Sequence, residues 1–175
     1  MKEIKLIRVD DRLVHAQIII FWLKKININT IFIIDDQLAE NEFLCQIYRL
    51  TTPPYIRLKI FSTKQAIQFI ENKKAIPSTS RILVLIKQLQ TVMKLHQMGF
   101  PMDTIQIGGG LLESGLSRKQ IIETIYASFR TEINYLMDKG IKIYCQNTID
   151  SEKITLSKEP EIAQNSEQQD IRVIE

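Results

Sequence analysis

A chain of 175 residues, 45% apolar and 25% charged, has the size and composition of one globular domain with a substantial core. The formal net charge of +3 is spread among interspersed acidic and basic residues, and no basic stripe carries aromatic residues, which argues against a nucleic-acid partner. The longest unbroken apolar run, Ile18–Leu23, is far shorter than the roughly 20 residues a membrane span needs, and the N-terminus lacks a secretory h-region.

Strand-like and helix-like segments alternate, which predicts an α/β domain with an open, mostly parallel sheet and helices on both faces. The strands are expected at Ile4–Val9, Thr30–Ile34, Arg57–Phe61, Arg81–Ile86, Thr104–Ile107 and Ile141–Cys145. Each is short, β-branched and apolar on both parities, as a strand buried on both faces should be. Between them, helices are expected at Ala16–Ile26, Asp36–Leu50, Thr63–Lys73 (with Thr63 as N-cap), Leu89–Met98 and Thr131–Lys139. Gly99 and Gly140 follow the last two as C′ residues. Thr51-Thr52-Pro53-Pro54 is a loop that stops the helix before it. Ser117–Arg130 reads two ways: Ile121, Ile122, Ile125 and Phe129 have helical spacing, yet Ile122–Ala127 is also rich in β-formers. The domain is expected to span 1–156, with 157–175 a polar, flexible tail and one short element near Ile171–Ile174. Cys45 and Cys145 lie far apart without metal-ligand spacing and read as reduced, partly buried thiols of a cytoplasmic protein.

Function concentrates after the first strand, in Arg8-Val9-Asp10-Asp11-Arg12-Leu13-Val14-His15. A neutral imidazole can attack phosphorus, arginines can hold phosphoryl oxygens, and a helix start favours the charge acquired. His15 is therefore the candidate nucleophile. Arg12 is the first candidate for a phosphoryl clamp and Arg8 the second, while Asp10 or Asp11 would fix the ring's tautomer or the loop. Salt bridging of Arg8 and Arg12 to the same aspartates is the structural alternative. Ligands in open α/β sheets sit at the carboxyl ends of strands, where Asp35-Asp36 and Gly108-Gly109-Gly110 would join this loop. The three glycines would offer backbone amides to an oxyanion, or serve only as a flexible turn. In the helix after His15, Ile19, Trp22, Leu23 and Ile26 form the core stripe. Ile18, Ile20 and Phe21 fall on its flanks and far side, and meet either a partner protein or a covering segment. His96 is assigned no role.

Ile7-Arg8-Val9-Asp10-Asp11-Arg12-Leu13-Val14-His15-Ala16-Gln17 resembles the signature of the cytoplasmic IIB components of the mannose/fructose/sorbose branch of the bacterial sugar phosphotransferase system. The likeness continues through Ile33-Ile34-Asp35-Asp36, Pro53-Pro54, Ile107-Gly108-Gly109 and Lys139-Gly140-Ile141, covering about residues 3–156. The resemblance implies that His15 accepts a phosphoryl group on Nδ1 from a phosphohistidine of a IIA partner. His15 would then pass it to a sugar hydroxyl during uptake through membrane IIC and IID subunits. It implies Gln17, Asp35, Asp36, Gly108, Gly109 and Phe21 as residues near substrate or partner, and neither metal nor organic cofactor. It also implies about seven strands with one antiparallel near an edge, which favours Ile122–Ala127 as a strand, and it is compatible with a homo-oligomer peripheral to the membrane.

The chain departs from the family pattern at Ala16, where glycine is usual, at Lys87-Gln88-Leu89, where Asn-Pro is frequent, and at Gln106, where asparagine is common. These departures support a second reading, a divergent regulatory or binding homologue that keeps the fold without sugar turnover. A third reading, a nucleotide-binding α/β domain, lacks both G-x-G-x-x-G in the first turn and a P-loop lysine after Gly108–Gly110.

Overall fold

The computed structural model describes residues 3–72, 76–112 and 115–158. Seven strands form one sheet in the order β3-β2-β4-β1-β5-β6-β7. They are β1 (Ile4–Val9), β2 (Thr30–Ile34), β3 (Arg57–Phe61), β4 (Ile82–Ile86), β5 (Thr104–Ile107), β6 (Lys142–Cys145) and β7 (Ile154–Thr155). All neighbours are parallel except β6 and β7, which pair antiparallel through Tyr144 with Thr155 and Cys145 with Ile154. Every residue of β2 and β4 is buried, which is why these strands show no polar alternation.

The helices divide between the faces. After β1 a π-helical turn (Ile18–Trp22) runs into α1 (Leu23–Lys25); after β2 come α2 (Asp36–Glu40) and α3 (Glu42–Thr51). These cover one face, where Trp22, Leu23, Leu38 and Cys45 meet Ile31, Ile33, Leu83 and Leu85. On the other face, α4 (Thr63–Glu71), α5 (Leu89–Gln97) and α6 (Arg118–Asp138) close over Ile7, Val9, Phe32, Ile34, Val84, Ile86 and Ile107. The chain thus leaves β1 toward one face and leaves its neighbours β4 and β5 toward the other. Such a divergence at the carboxyl end of a strand is where open α/β sheets bind ligands.

Four expectations need correction. Ile122–Ala127 is not a strand but the centre of α6. Ser117 caps that helix and forms a reciprocal capping box with Gln120, and Ile125, Tyr126, Ile133 and Leu136 fill the core at helical spacing. Capping and burial outweigh the β-propensity of Ile, Thr and Tyr there, while Phe129 (φ −139°, ψ 27°) kinks the helix. The antiparallel strand is β7, whose two residues are too few to carry a pattern. The expected helix Asp36–Leu50 is broken at Asn41, which is extended and caps α3 by accepting from the Leu44 amide. Ser62, not Thr63, caps α4; Thr63 instead donates to Asp36. Ile18 is fully buried rather than on a flank. The wider π-helical turn, in which the Leu23 amide bonds the Ile18 carbonyl, shifts the helix face at that point.

Gly99 and Gly140 take positive φ after α5 and α6, as C′ residues should. Both cysteines are buried and unpaired, and burial pushes the Cys145 thiol up to about 12. No helix among the described residues is long and apolar enough to cross a membrane. The short element expected near Ile171–Ile174 lies outside the described residues.

Leu85 sits fully buried in β4, the strand between β2 and β1. Leu85→Ala is expected to cost about 2–5 kcal/mol, read as a lower urea midpoint at unchanged slope.

Candidate phosphoryl-transfer site

A buried ion pair organises the carboxyl end of β1. Arg8 points to the face covered by the π-helical turn, and its guanidinium lies 4.9 Å from the centroid of the Trp22 ring. Its side chain and that of Asp10 are both fully buried. All five of its N–H donors are engaged. Nε and Nη2 donate to Asp10 Oδ2 at 3.1 and 2.9 Å. Nη1 donates to Gln106 Oε1 at 2.6 Å and to the Gln146 carbonyl at 2.9 Å, and Nη2 reaches the Asn147 carbonyl at 3.1 Å. Burial lowers the Arg8 pKa from its ordinary value, with the Asp10 charge opposing that shift.

Gln106 stands beside Arg8 in the strand register and passes the polar network outward. Its amide nitrogen donates to Tyr144 Oη at 3.2 Å and to Gln146 Oε1 at 3.1 Å. Gln146 in turn donates to the carbonyls of Ile149 and Ser151. The substitution Gln106 thus supplies the acceptor that a buried guanidinium requires.

Asp10 is the hub. Besides Arg8, it accepts from the Arg12 amide at 3.2 Å, from Arg12 Nε at 3.1 Å and Nη2 at 3.3 Å, and it lies 3.2 Å from His15 Nε2. Burial alone would raise its pKa, but hydrogen bonds from His15 and Arg12 and the charge of Arg8 hold it well below the usual carboxylate range. An ionised acceptor at Nε2 assigns the ring proton to that nitrogen and leaves a lone pair on Nδ1. The His15 side chain is 17% exposed, so the ring is anchored on one side and open on the other.

The loop between them is tightly wound. Leu13 has φ +54°, a left-handed conformation that costs a leucine about 1–2 kcal/mol. Its amide bonds the Asp10 carbonyl and its side chain is buried in the core beside Trp22, which offset that strain. Ala16 begins the helix and is absent from the positive-φ residues, so its backbone is one alanine adopts freely.

Of the expected site residues, the structure brings Arg8, Asp10, Arg12, His15 and Gln17 together, Gln17 through a long 3.4 Å contact with Arg12 Nη2. Asp11 joins the β1 loop to the glycines by accepting from the Gly110 amide at 2.9 Å. Arg8 as a second phosphoryl clamp is corrected, since none of its donors is spare. The glycines also have a more specific use than a flexible turn. A Cβ on Gly108 would collide with the Arg8 guanidinium, and one on Gly109 would collide first with Asp11 Oδ1 and then, at 2.6 Å, with Asp10 Oδ1. Gly109 also has φ +78°, so these residues let β5 close on the ion pair.

Asp35 and Asp36 serve elsewhere. Asp35 caps α2 through the Leu38 amide, and Asp36 accepts from Thr63 and from Lys94 Nζ at 2.7 Å. Phe21 and its neighbour Ile20 are half-exposed beside the His15 loop. Burial of Arg8 also recruits Trp22, which helical spacing assigns to the core, together with Gln106, Gln146 and Asn147, which belong to no motif. The available signal was Gln106 itself, an amide inside an apolar strand at the register of Arg8.

A family model described as the PTS system sorbose subfamily IIB component matches residues 4–171. The chain is 26% identical over 153 residues to the N-acetylgalactosamine-specific phosphotransferase enzyme IIB component 1 of Escherichia coli, covering 86% of this chain and 94% of the relative. It is 25% identical over 140 residues to the sorbose-specific EIIB component of Lacticaseibacillus casei, covering 80% and 84%. Among solved structures, manxB from Thermoanaerobacter tengcongensis superposes with a TM-score of 0.68 at 29% identity, covering 89% of this chain and 93% of that one. The match of nearly the whole chain to one family model, on a fold shared with a solved relative, makes this chain a member of the sorbose-subfamily IIB components of the phosphotransferase system.

Proposed function

We propose that this chain carries a phosphoryl group on Nδ1 of His15, taking it from a phosphohistidine of a IIA partner and delivering it to a sugar hydroxyl during uptake. The observation that supports this most is the bond between His15 Nε2 and the buried Asp10 carboxylate. In the first transfer the Nδ1 lone pair forms a bond to phosphorus as the donor's N–P bond breaks, and that electron pair returns to the donor ring. The His15 ring becomes a cation with its Nε2–H facing Asp10, whose negative charge is already in place and costs no reorganisation. In the second transfer the sugar oxygen attacks phosphorus, the N–P pair returns to Nδ1, and the hydroxyl proton leaves to water or a base at the acceptor site.

Arg12 is the phosphoryl clamp in this reading. Its Nε and Nη2 are held by Asp10 while its side chain stays 40% exposed, and Nη1 bonds no described residue. Arg8 and Gln106 act through Asp10 as positioning residues. Gln17 borders the clamp, and the half-exposed Ile20 and Phe21 give the IIA partner an apolar landing beside His15. Membrane IIC and IID subunits would present the sugar, holding this chain at the cytoplasmic surface.

Phosphate transfer from phosphoenolpyruvate, through the general phosphotransferase proteins and a IIA partner, should give an acid-labile, alkali-stable label. His15→Ala should abolish it with the melting temperature nearly unchanged, because Asp10 keeps both arginines. Intact labelling of that variant would sink the assignment.

Gly109→Ala should both destabilise the protein by about 1–3 kcal/mol and slow labelling, since the new methyl, on a residue of positive φ, displaces the Asp11 and Asp10 carboxylates. A loss of stability without slower labelling would show that the carboxylates packed against Gly109 do not position His15.

The lowered Asp10 pKa also has a pH signature. Its stabilisation is present above the unfolded carboxylate value, near 4, and is lost as pH falls through the lower folded value. Asp10→Asn leaves Arg8 buried without its counter-ion and should cost about 3–5 kcal/mol at neutral pH. That gap to wild type should narrow on acidification below about pH 4; a constant gap in urea titrations would contradict the ion pair.

A further inference from the structure

The described chain stops at the amino edge of the sheet. β7 runs antiparallel to β6, and the Leu156 amide bonds the Ile143 carbonyl on the way toward the start of that strand. The Ser157 carbonyl then accepts from Tyr126 Oη, and Lys158 pairs with Asp138 at the end of α6. From there the sequence continues through residues 159–175, which carry Glu159, Glu161, Glu167, Asp170 and Glu175 against the single cation Arg172. Its densest apolar group is Ile171, Val173 and Ile174.

The same edge carries a surface of opposite charge at β2 and β3. Lys24 and Lys25 close α1, Arg49 stands in the last turn of α3, and Arg57 opens β3. All four are exposed, and none forms an ion pair among the described residues. Backbone bonds fix their common position: the Asn27 amide bonds the Lys24 carbonyl, and the Arg57 amide bonds the Asn29 carbonyl just before β2. On either side of Pro53-Pro54, Leu50 is 85% exposed and Tyr55 65% exposed. Of the carboxylates at this edge, Glu3 and Asp103 precede β1 and β5, and Glu71 ends α4 on the opposite face.

Exposed cations around exposed apolar side chains call for a partner that pairs carboxylates with apolar residues. The segment after Lys158 has that composition, and it is long enough. β2 lies five strands from β7, about 24 Å by the usual strand spacing, whereas residues 159–170 extend to about 40 Å. The tether also holds the segment at about millimolar concentration beside the patch, so a second copy recruited from solution competes poorly.

We propose that the C-terminal segment crosses the amino edge of its own sheet and seats Ile171, Val173 and Ile174 on Leu50 and Tyr55, with Glu167 and Asp170 facing Lys24, Lys25, Arg49 and Arg57. The inference does not depend on the role of His15, which lies beyond the carboxyl end of β1.

Nuclear magnetic resonance of the full chain with a nitroxide on Gln169→Cys tests it; the native cysteines are buried, so the label goes to the new thiol. The amides of Lys25, Leu50 and Tyr55 should broaden, while those of Lys87 and Gln88, after β4 at the carboxyl edge, stay sharp. In a mixture of spin-labelled, isotopically silent chain with unlabelled, visible chain the broadening should vanish. Arg49→Glu combined with Arg57→Glu should weaken docking about tenfold, and adding Glu167→Arg with Asp170→Arg should restore it. Both arginines are exposed, so circular dichroism should not change. Broadening confined to the surroundings of Lys158 overturns the proposal, including the case in which phosphatidylglycerol vesicles bind the patch instead. Broadening that survives in the mixed sample assigns the patch to a second copy and overturns it as well, and failure of the charge reversal to restore docking overturns the stated pairing.

Discussion

Arg8 is a full positive charge placed inside the sheet, and burying it sets conditions on everything around the carboxyl end of β1. A guanidinium without water must find a counter-ion and an acceptor for each of its five donors. Asp10 supplies the charge and two of the bonds; Gln106, Gln146 and Asn147 supply the rest. Trp22 closes the open side of the guanidinium plane. Gly108 and Gly109 are needed because a side chain at either would occupy the space of the ion pair. One buried charge thus ties together β1, β5, the loop after β6 and the π-helical turn, and the His15 loop is built on the result.

This arrangement suits a phosphoryl carrier because it holds one ring nitrogen and releases the other. A histidine free to rotate would pay the entropy of orientation at each transfer. A histidine held at both nitrogens would have no nucleophile. Holding Nε2 alone, against a carboxylate that is already ionised, fixes tautomer and orientation together. The same carboxylate would be the counter-ion for the charge that the proposed transfer places on the ring. Hydrogen bonds from His15 and Arg12, with the charge of Arg8 behind them, keep Asp10 ionised against its burial, and Arg12 does so while reaching toward solvent. The two arginines look alike in sequence but differ in exposure, and exposure decides which of them can meet a phosphoryl group.

That difference marks the boundary of what the sequence made legible. The six longer strands were readable because apolar and β-branched residues dominate them, unbroken in the fully buried β2 and β4 and alternating with exposed Arg57 and Lys59 in the edge strand β3. The His15 loop was readable because few residue patterns place two arginines and two aspartates before one histidine at a strand end. The roles inside the cluster were not readable: the same residues make a clamp or a strut, and only burial separates them. The first half of helix α6 is ambiguous in sequence, because β-prone residues at Ile122–Ala127 compete with a capping box at Ser117 and Gln120, and the family resemblance tipped it the wrong way. The local composition was ambiguous, and the cap and the core contacts of Ile125, Ile133 and Leu136 decided it. The break at Asn41 went unseen for a related reason, since an Asn between two helical patterns can end one or begin the next, and here it begins α3.

The two exposed apolar patches impose different demands. Ile20 and Phe21 flank the proposed nucleophile, which in that role would meet a donor and then an acceptor in turn, so a partner there would bind briefly. The burial of Ile18 by the π-helical turn suits that need, because it removes one large side chain from the surface and leaves a small landing area. The stripe of Phe43, Ile47 and Leu50 on α3 is longer and lies on the connection after β2, away from the His15 loop after β1. Two apolar surfaces on separate connections can be shaped independently: the π-helical turn trims the one beside His15 without altering the other.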